Sequence, residues 1–221
     1  KQLEKEVKKQ KADLGVIFDA DGDRVFFLDN LGRWIDPNES AYILTQVFQP
    51  PYVAGIVSSW RLKKEKVFIS RVGHYFFKKL MRDKKANLGL EHSGHYYFKD
   101  FFYCDSGIFA AIQIINFVSG LKSLVEWLDK LPKYYRSGEI NFEVKNKERI
   151  LKKIEKKYKN QGAKINKLDG LTVEFNPPAG GWWFNVRPSN TENLLRLNME
   201  STNKKLFNYQ FKEIKKLINN V

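Results

Sequence analysis

The chain has 221 residues, a formal net charge of +14 and a single cysteine. At roughly 150 residues per domain this length supports one or two domains with a sizeable core, and every apolar run falls well short of the ~20 residues that span a bilayer, which argues against a transmembrane helix. The lone Cys104 excludes an intrachain disulfide framework, fits a reducing cytoplasm and is expected to serve packing.

In chain order, KQLEKEVKKQKADLG is basic, has neither the apolar region nor the cleavage site of a signal peptide, and reads as the end of an exposed helix. LGVIFDA from Leu14 is a buried strand, followed by the acidic DADGDR segment, a second strand VFFLDN, and a turn at Leu31-Gly32-Arg33. Glu39 to Phe48 reads as a helix stopped by Pro50-Pro51. Strand AGIVSS, a basic turn, strand KVFISR, helix HYFFKKLMRD and strand LGLE follow, and this alternation predicts α/β layers with parallel pairing. Asp105 to Leu131 is expected as one helix, capped by Asp105 or Ser106, with an apolar stripe of Ile108, Ala111, Ile112 and Ile115. A boundary is placed near Pro132. Beyond it, strand EINFEV, a lysine-rich helix, strands LTVEFN, WWFNV and LLRLNME, and a helix over 203–219 predict a separate α+β unit.

The positive charge would attract nucleic acid, acidic membrane or phosphorylated metabolites alike. Most lysines, however, fall in helix-like segments such as Lys147 to Lys159 and Lys204 to Lys216 with apolar residues on the other face, which favours solvated helix faces over a nucleic-acid surface.

Three motifs carry chemistry. Asp19, Asp21 and Asp23 alternate at a strand end, a spacing that can bring three carboxylates together; with no nearby sulfur or imidazole in the segment, such oxygens suit Mg²⁺ or Ca²⁺ rather than zinc. An EF-hand would need glycine sixth and glutamate twelfth, where Arg24 and Asn30 stand. Arg24 beside a metal site can hold a phosphate that also ligates the metal, which points to phosphoryl chemistry. In LEHSGHYYF, the residues Glu91, Ser93 and His95 alternate around Gly94 and can point a carboxylate, a hydroxyl and an imidazole into one cleft; Ser93 lies outside a G-x-S-x-G elbow, which argues against a hydrolase. Around VRPSNTENLLRL, a turn between strands can aim a guanidinium, hydroxyls and backbone N–H groups at one anion.

Together, GVIFDADGDR, LEHSGHYYF and VRPSNTENLLRL resemble, in order, the metal-binding, sugar-binding and phosphate-binding loops of the α-D-phosphohexomutases, with wording closest to the phosphomannomutase/phosphoglucomutase branch. The resemblance implies a remnant of the metal-binding second domain over 1–36, an α/β sugar-binding third domain over 37–132, and an α+β phosphate-binding domain over 133–221. It implies Mg²⁺ on Asp19, Asp21 and Asp23; substrate contacts from Arg24, Arg71, His74, Glu91 and Ser93; acid/base assistance by His95; and a phosphate clamp of Arg187, Pro188, Ser189, Asn190 and Thr191. The implied partner is a phosphorylated hexose. The family's catalytic serine sits in a TASHNP-like segment of an earlier domain, and nothing in these 221 residues resembles it. The expected activity is interconversion of hexose 1- and 6-phosphates through that phosphoserine and a bisphosphorylated sugar, with this chain inactive alone and the serine domain a possible partner. The competing readings are a non-catalytic sugar-phosphate-binding protein and a basic nucleic-acid-binding protein. Asn193 stands where many members have proline. A basic contact residue often found near AGIVSS is missing, with Arg61 or Lys63 as the candidates to replace it.

Overall fold

The computed structural model describes residues 1–63, 66–175, 180–189 and 192–219. The chain divides into two compact units, Lys1–Pro132 and Lys133–Val221.

In the first unit, α1 (Gln2–Gln10) packs its one buried residue, Val7, on β1 (Leu14–Phe18), and Gly15 admits that approach: a Cβ there would lie 2.7 Å from the Val7 side chain. β1, β2 (Val25–Asp29) and β3 (Trp34–Ile35) form a small antiparallel sheet whose first turn is the acidic loop. Helix α2 (Pro37–Val47) begins with proline in its first turn, where the missing N–H is harmless, and the Asp36 carboxylate caps it by accepting from the Asn38 N–H. The central sheet has the order β5-β4-β6-β7-β8. The strands β4 (Tyr52–Gly55), β5 (Val67–Ser70) and β6 (Leu88–Leu90) run parallel, with α3 (His74–Lys84) as the crossover, while β7 (Tyr96–Phe98) and β8 (Cys104–Asp105) run antiparallel. The expected parallel pairing therefore holds for three strands. The other two follow from a hairpin hidden inside EHSGHYYF: the turn at Gly94, with φ +94°, returns the chain directly beside β6.

The single helix expected over 105–131 is two: α4 (Gly107–Ser119) and α5 (Leu124–Asp129), with Ser106 and Ser123 each capping through its hydroxyl. The expected stripe is also misplaced. Gly107, Ala110, Ala111, Ile114 and Val118 face the core, and of the four stripe residues only Ala111 is buried; Ile108, Ile112 and Ile115 are exposed. Residues of β2, β3, α2, β4, β6, β7, α4 and α5 share one apolar cluster, so 1–36 packs on the same core as the sequence after it.

The second unit is an antiparallel sheet of order β10-β14-β13-β12-β11, with β9 (Tyr135–Arg136) also paired to β14. Its strands are β10 (Ile140–Glu143), β11 (Lys164–Asn166), β12 (Leu171–Phe175), β13 (Trp182–Pro188) and β14 (Leu194–Ser201). The strand period of two sends Trp182, Phe184 and Val186 of β13 and Leu195, Leu197 and Met199 of β14 to one face. There they meet Ile150, Ile154 and Tyr158 of α6 (Lys147–Lys159) and Ile214 and Ile218 of α7 (Lys204–Asn219). Apart from the half-buried Lys147 and Lys157, the lysines of both helices are left on the outer side, as their spacing predicts. The same alternation places Arg187 and Arg196 on the sheet face away from that core, directly opposite each other in the ladder.

Candidate functional site

In the first unit, three chain segments far apart in sequence meet. The acidic loop is tied to the turn of the β6–β7 hairpin by a backbone bridge between Arg24 and His95, with the Val25 N–H donating to the Gly94 carbonyl at 3.3 Å. It is tied to the start of α4 by the Gly107 N–H, which donates to the Gly22 carbonyl at 3.2 Å. Gly107 is required there: a Cβ would stand 2.7 Å from the Gly22 oxygen and 2.8 Å from that of Arg24.

On this frame Asp19, Asp21 and Asp23 each offer a carboxylate oxygen within 4.8 Å of the others. Asp19 is gripped by Arg24, whose Nε meets Oδ2 and whose backbone N–H donates to Oδ1 at 3.2 Å. Burial works against the Asp19 charge, but these hydrogen bonds outweigh it and hold its pKa below the ordinary value. Asp23 Oδ1 is buried and has no hydrogen-bond partner among the described residues. A buried carboxylate oxygen that accepts no hydrogen bond, with Arg24 Nε 3.8 Å away and two further carboxylates beside it, fits a hard cation, and all-oxygen donors fit Mg²⁺.

The hairpin turn delivers the sugar-loop residues to the same place. Glu91 is buried; the Tyr97 hydroxyl donates to its Oε2 at 3.1 Å and the Gly73 N–H to its Oε1 at 3.4 Å. Burial first, then the Glu91 and Asp105 carboxylates, push the Tyr97 pKa upward, so its hydroxyl stays a donor. His95 Nδ1 lies 2.9 Å from Ser93 Oγ and 3.5 Å from Glu91 Oε2, while its Nε2 faces Asp23 Oδ2 at 3.4 Å. His74, first residue of α3, meets the His95 ring edge to face at 4.5 Å between centroids, and its Nδ1 is 3.2 Å from Asp105 Oδ2. The structure thus brings together Asp19, Asp21, Asp23, Arg24, His74, Glu91, Ser93 and His95. Arg71 lies exposed over the Phe76 ring, 4.6 Å from its centroid. Of the two substitutes for the missing basic contact, Arg61 is buried against the Tyr42 ring and the Pro132 carbonyl, and the Lys63 ammonium donates to the Ile56 carbonyl.

Sequence reasoning missed Tyr97 and Asp105. Tyr97 continues the alternation Glu91, Ser93, His95 and could have been found from it. The sequence allows Asp105 or Ser106 as the helix cap; Ser106 takes that role, and the Asp105 carboxylate meets His74 and Lys78.

In the second unit, Arg187 and Arg196 converge on one carboxylate: Arg187 Nη2 is 2.8 Å from Glu139 Oε2 and Arg196 Nη1 is 3.2 Å from Oε1. The Nε of each arginine and the Ser189 hydroxyl are buried without a hydrogen-bond partner among the described residues, so donors remain for an anion. Lys147 holds the turn from below, donating to the carbonyls of Ser189 and Glu192. Pro188 ends β13 opposite Leu195; Asn190 and Thr191 lie outside the described residues. Neither Glu139 nor Lys147 carries a motif that would single it out.

Residues 39–135 match the family model for phosphoglucomutase/phosphomannomutase, alpha/beta/alpha domain III, and residues 139–217 match that for the phosphoglucomutase/phosphomannomutase C-terminal domain. A phosphomannomutase of Methanocaldococcus jannaschii is 39% identical over 99% of this chain and 50% of its own length; one from Vibrio cholerae is 37% identical over 96% and 48%. Among solved structures, a phosphoglucomutase/phosphomannomutase family protein of Burkholderia thailandensis superposes with a TM-score of 0.78 at 24% identity, over 99% of this chain and 50% of that one. An Aspergillus fumigatus N-acetylphosphoglucosamine mutase, solved with GlcNAc-6P and magnesium, gives 0.60 at 14% identity over 92% and 51%. The chain spans about half the length of the curated relatives it matches, and on the two family models, which between them take in most of its residues, it belongs to the phosphoglucomutase/phosphomannomutase family of phosphohexomutases.

Proposed function

We propose that this chain is the metal-, sugar- and phosphate-binding portion of a phosphomannomutase/phosphoglucomutase that interconverts hexose 1- and 6-phosphates through a phosphoserine and a bisphosphorylated sugar. The observation that carries the reading is the junction of the acidic loop with the β6–β7 turn, where Asp23 and His95 stand 3.4 Å apart. Asp19, Asp21 and Asp23 would hold Mg²⁺, which when bound neutralises charge on the transferring phosphoryl group. Arg24 orients Asp19 and offers its remaining N–H groups to phosphate oxygens. Glu91 accepts, and Ser93 accepts or donates, hydrogen bonds of sugar hydroxyls. His95 has Nδ1 occupied by Ser93 and Glu91, so Nε2 is the atom at which it takes a proton from an attacking hydroxyl and returns it to a leaving one. Arg187, Pro188, Ser189, Asn190 and Thr191 form the clamp for the phosphate that does not react.

Residues 1–36 correspond in this reading to the end of a metal-binding domain, 37–132 to the sugar-binding domain and 133–221 to the phosphate-binding domain. The serine would come from the portion of the longer relatives that this chain does not span. Among the described residues no helix is long and apolar enough to cross a membrane. In a protein that includes the serine segment, Arg187→Ala is expected to weaken hexose-phosphate binding at least tenfold by calorimetry, and unchanged affinity removes the clamp. Purified residues 1–221 are expected to show no mutase turnover; activity that survives removal of host mutase overturns the division of labour.

A further inference from the structure

A second set of ligand atoms overlaps the acidic loop at one residue only. Asp23, His74, His95 and Asp105 each offer one such atom within 4.8 Å of every other. We propose that these four residues form a site for a borderline divalent transition metal, with Zn²⁺ as the reference ion, separate in chemistry from the all-oxygen loop.

The donor set favours this class of ion, since two imidazoles and two carboxylates suit zinc, cobalt or nickel better than magnesium. Tetrahedral zinc with bonds of about 2.0–2.1 Å sets its ligand atoms about 3.3 Å apart. Two of the pairs already have that spacing, His74 Nδ1 to Asp105 Oδ2 at 3.2 Å and His95 Nε2 to Asp23 Oδ2 at 3.4 Å. Any other pair needs to close by about 1.5 Å at most to reach the same tetrahedral spacing.

The surroundings of the group prepare it as well. His95 Nδ1 faces Ser93 and the buried Glu91 carboxylate, itself held by Tyr97 and Gly73. A proton on Nδ1 directed at that carboxylate leaves the Nε2 lone pair turned into the cluster, which is the outer-shell arrangement that fixes a metal-binding histidine. Lys78 engages Asp105 through Oδ1 at 3.0 Å and leaves Oδ2 towards His74. Occupation would take Asp23 from the acidic loop and close His95 Nε2, so the ion would inhibit in competition with Mg²⁺. That consequence rests on the function proposed above, whereas the binding does not.

Cobalt(II) tests the site, because its visible absorption reports tetrahedral coordination without any turnover. Titrated into residues 1–221, Co²⁺ is expected to give an intense tetrahedral band that saturates at one equivalent and is bleached by Zn²⁺. His74→Ala and Asp105→Asn should each weaken Co²⁺ binding about tenfold or more. Mg²⁺ affinity, measured separately, should show the reverse order, falling more in Asp21→Asn than in His74→Ala. His74 is exposed, so the alanine variant should keep the fold, with His74→Gln as a second variant and circular dichroism as the check. Equal Co²⁺ affinity in folded His74 variants and the parent, or a weak octahedral spectrum abolished by Asp21→Asn, overturns the proposal. Loss of Mg²⁺ binding alone would instead count against the acidic loop.

Discussion

Replacing Glu139 with glutamine separates two roles that the Arg187–Arg196 pair could play. The carboxylate bridges guanidiniums that face each other across the β13–β14 ladder, so Glu139→Gln keeps its shape and removes the charge that reconciles them. Opposed like charges and weakened charge-assisted hydrogen bonds destabilise a sheet. Because the Arg187 and Arg196 side chains are 14% and 30% exposed, solvent screening limits the loss to about 1–2 kcal/mol. In a unit of this size that is about 4–15 °C of melting temperature. Anion binding moves the other way. A unit negative charge about 5 Å from a bound phosphate repels it by about 0.8 kcal/mol at the dielectric of water and about 3 kcal/mol at an effective value of 20. Near the solvent end of that range, about 1 kcal/mol, removing it tightens phosphate binding roughly fivefold per phosphate charge. Calorimetric titration with inorganic phosphate, paired with thermal melts, reads both effects. A folded Glu139→Gln protein with a lowered melting temperature and unchanged or weaker phosphate affinity refutes the reasoning, because the arginines would then be a structural pair and not a clamp.

Three further perturbations probe the frame. Gly107→Ala places a Cβ against the Gly22 and Arg24 carbonyls; the overpacking cost of about 1–3 kcal/mol is partly offset by up to about 1 kcal/mol of helix propensity. Thermal stability should therefore fall by about 1–2 kcal/mol while Mg²⁺ affinity of the still folded protein drops about tenfold or more by titration, the metal loop having been moved. Arg24→Met tests the Asp19 shift. With the folded pKa below the usual 3.8, the grip on Asp19 stabilises the protein above the unfolded value and is lost as pH falls through the lower folded one. Removing Arg24 should accordingly move the acid-unfolding midpoint upward in a circular dichroism pH titration. Lys147→Met frees the Ser189 and Glu192 carbonyls, and phosphate affinity should fall several-fold with a melting-temperature change of only a few degrees, consistent with loss of about 1 kcal/mol of hydrogen bonding.

The acidic loop and the EHSGH turn were legible in the sequence because their chemistry is packed into a few consecutive residues at the ends of short apolar strands. The second unit was legible for a different reason: α6 and α7 are lysine-rich on one side and apolar on the other, so period and face agree. In α4 they do not. GIFAAIQIINFVS is apolar nearly all round, so spacing alone cannot say which side meets the core, and the small residues Ala110 and Ala111 are taken inward while three isoleucines are left outside. The helix break at 120–123 was hidden because Leu121 continues the apolar period while Ser123 starts a new cap. Glu139, Lys147 and Asp105 were invisible for a third reason. Each acts on a residue brought near by strand pairing or by a crossover, and a sequence read locally contains no such neighbour.

The bond between the Gly107 N–H and the Gly22 carbonyl also sets an order of events during synthesis. About 85 residues separate the two groups, so at 5–20 residues per second the acidic loop is made roughly 4–17 s before its anchor exists. Through that interval the turn carrying the three aspartates has its local restraint, Arg24 on Asp19, and then the Gly94 carbonyl of the β6–β7 turn, but not the α4 anchor; its full set of ties is complete only when the start of α4 has been translated and docked.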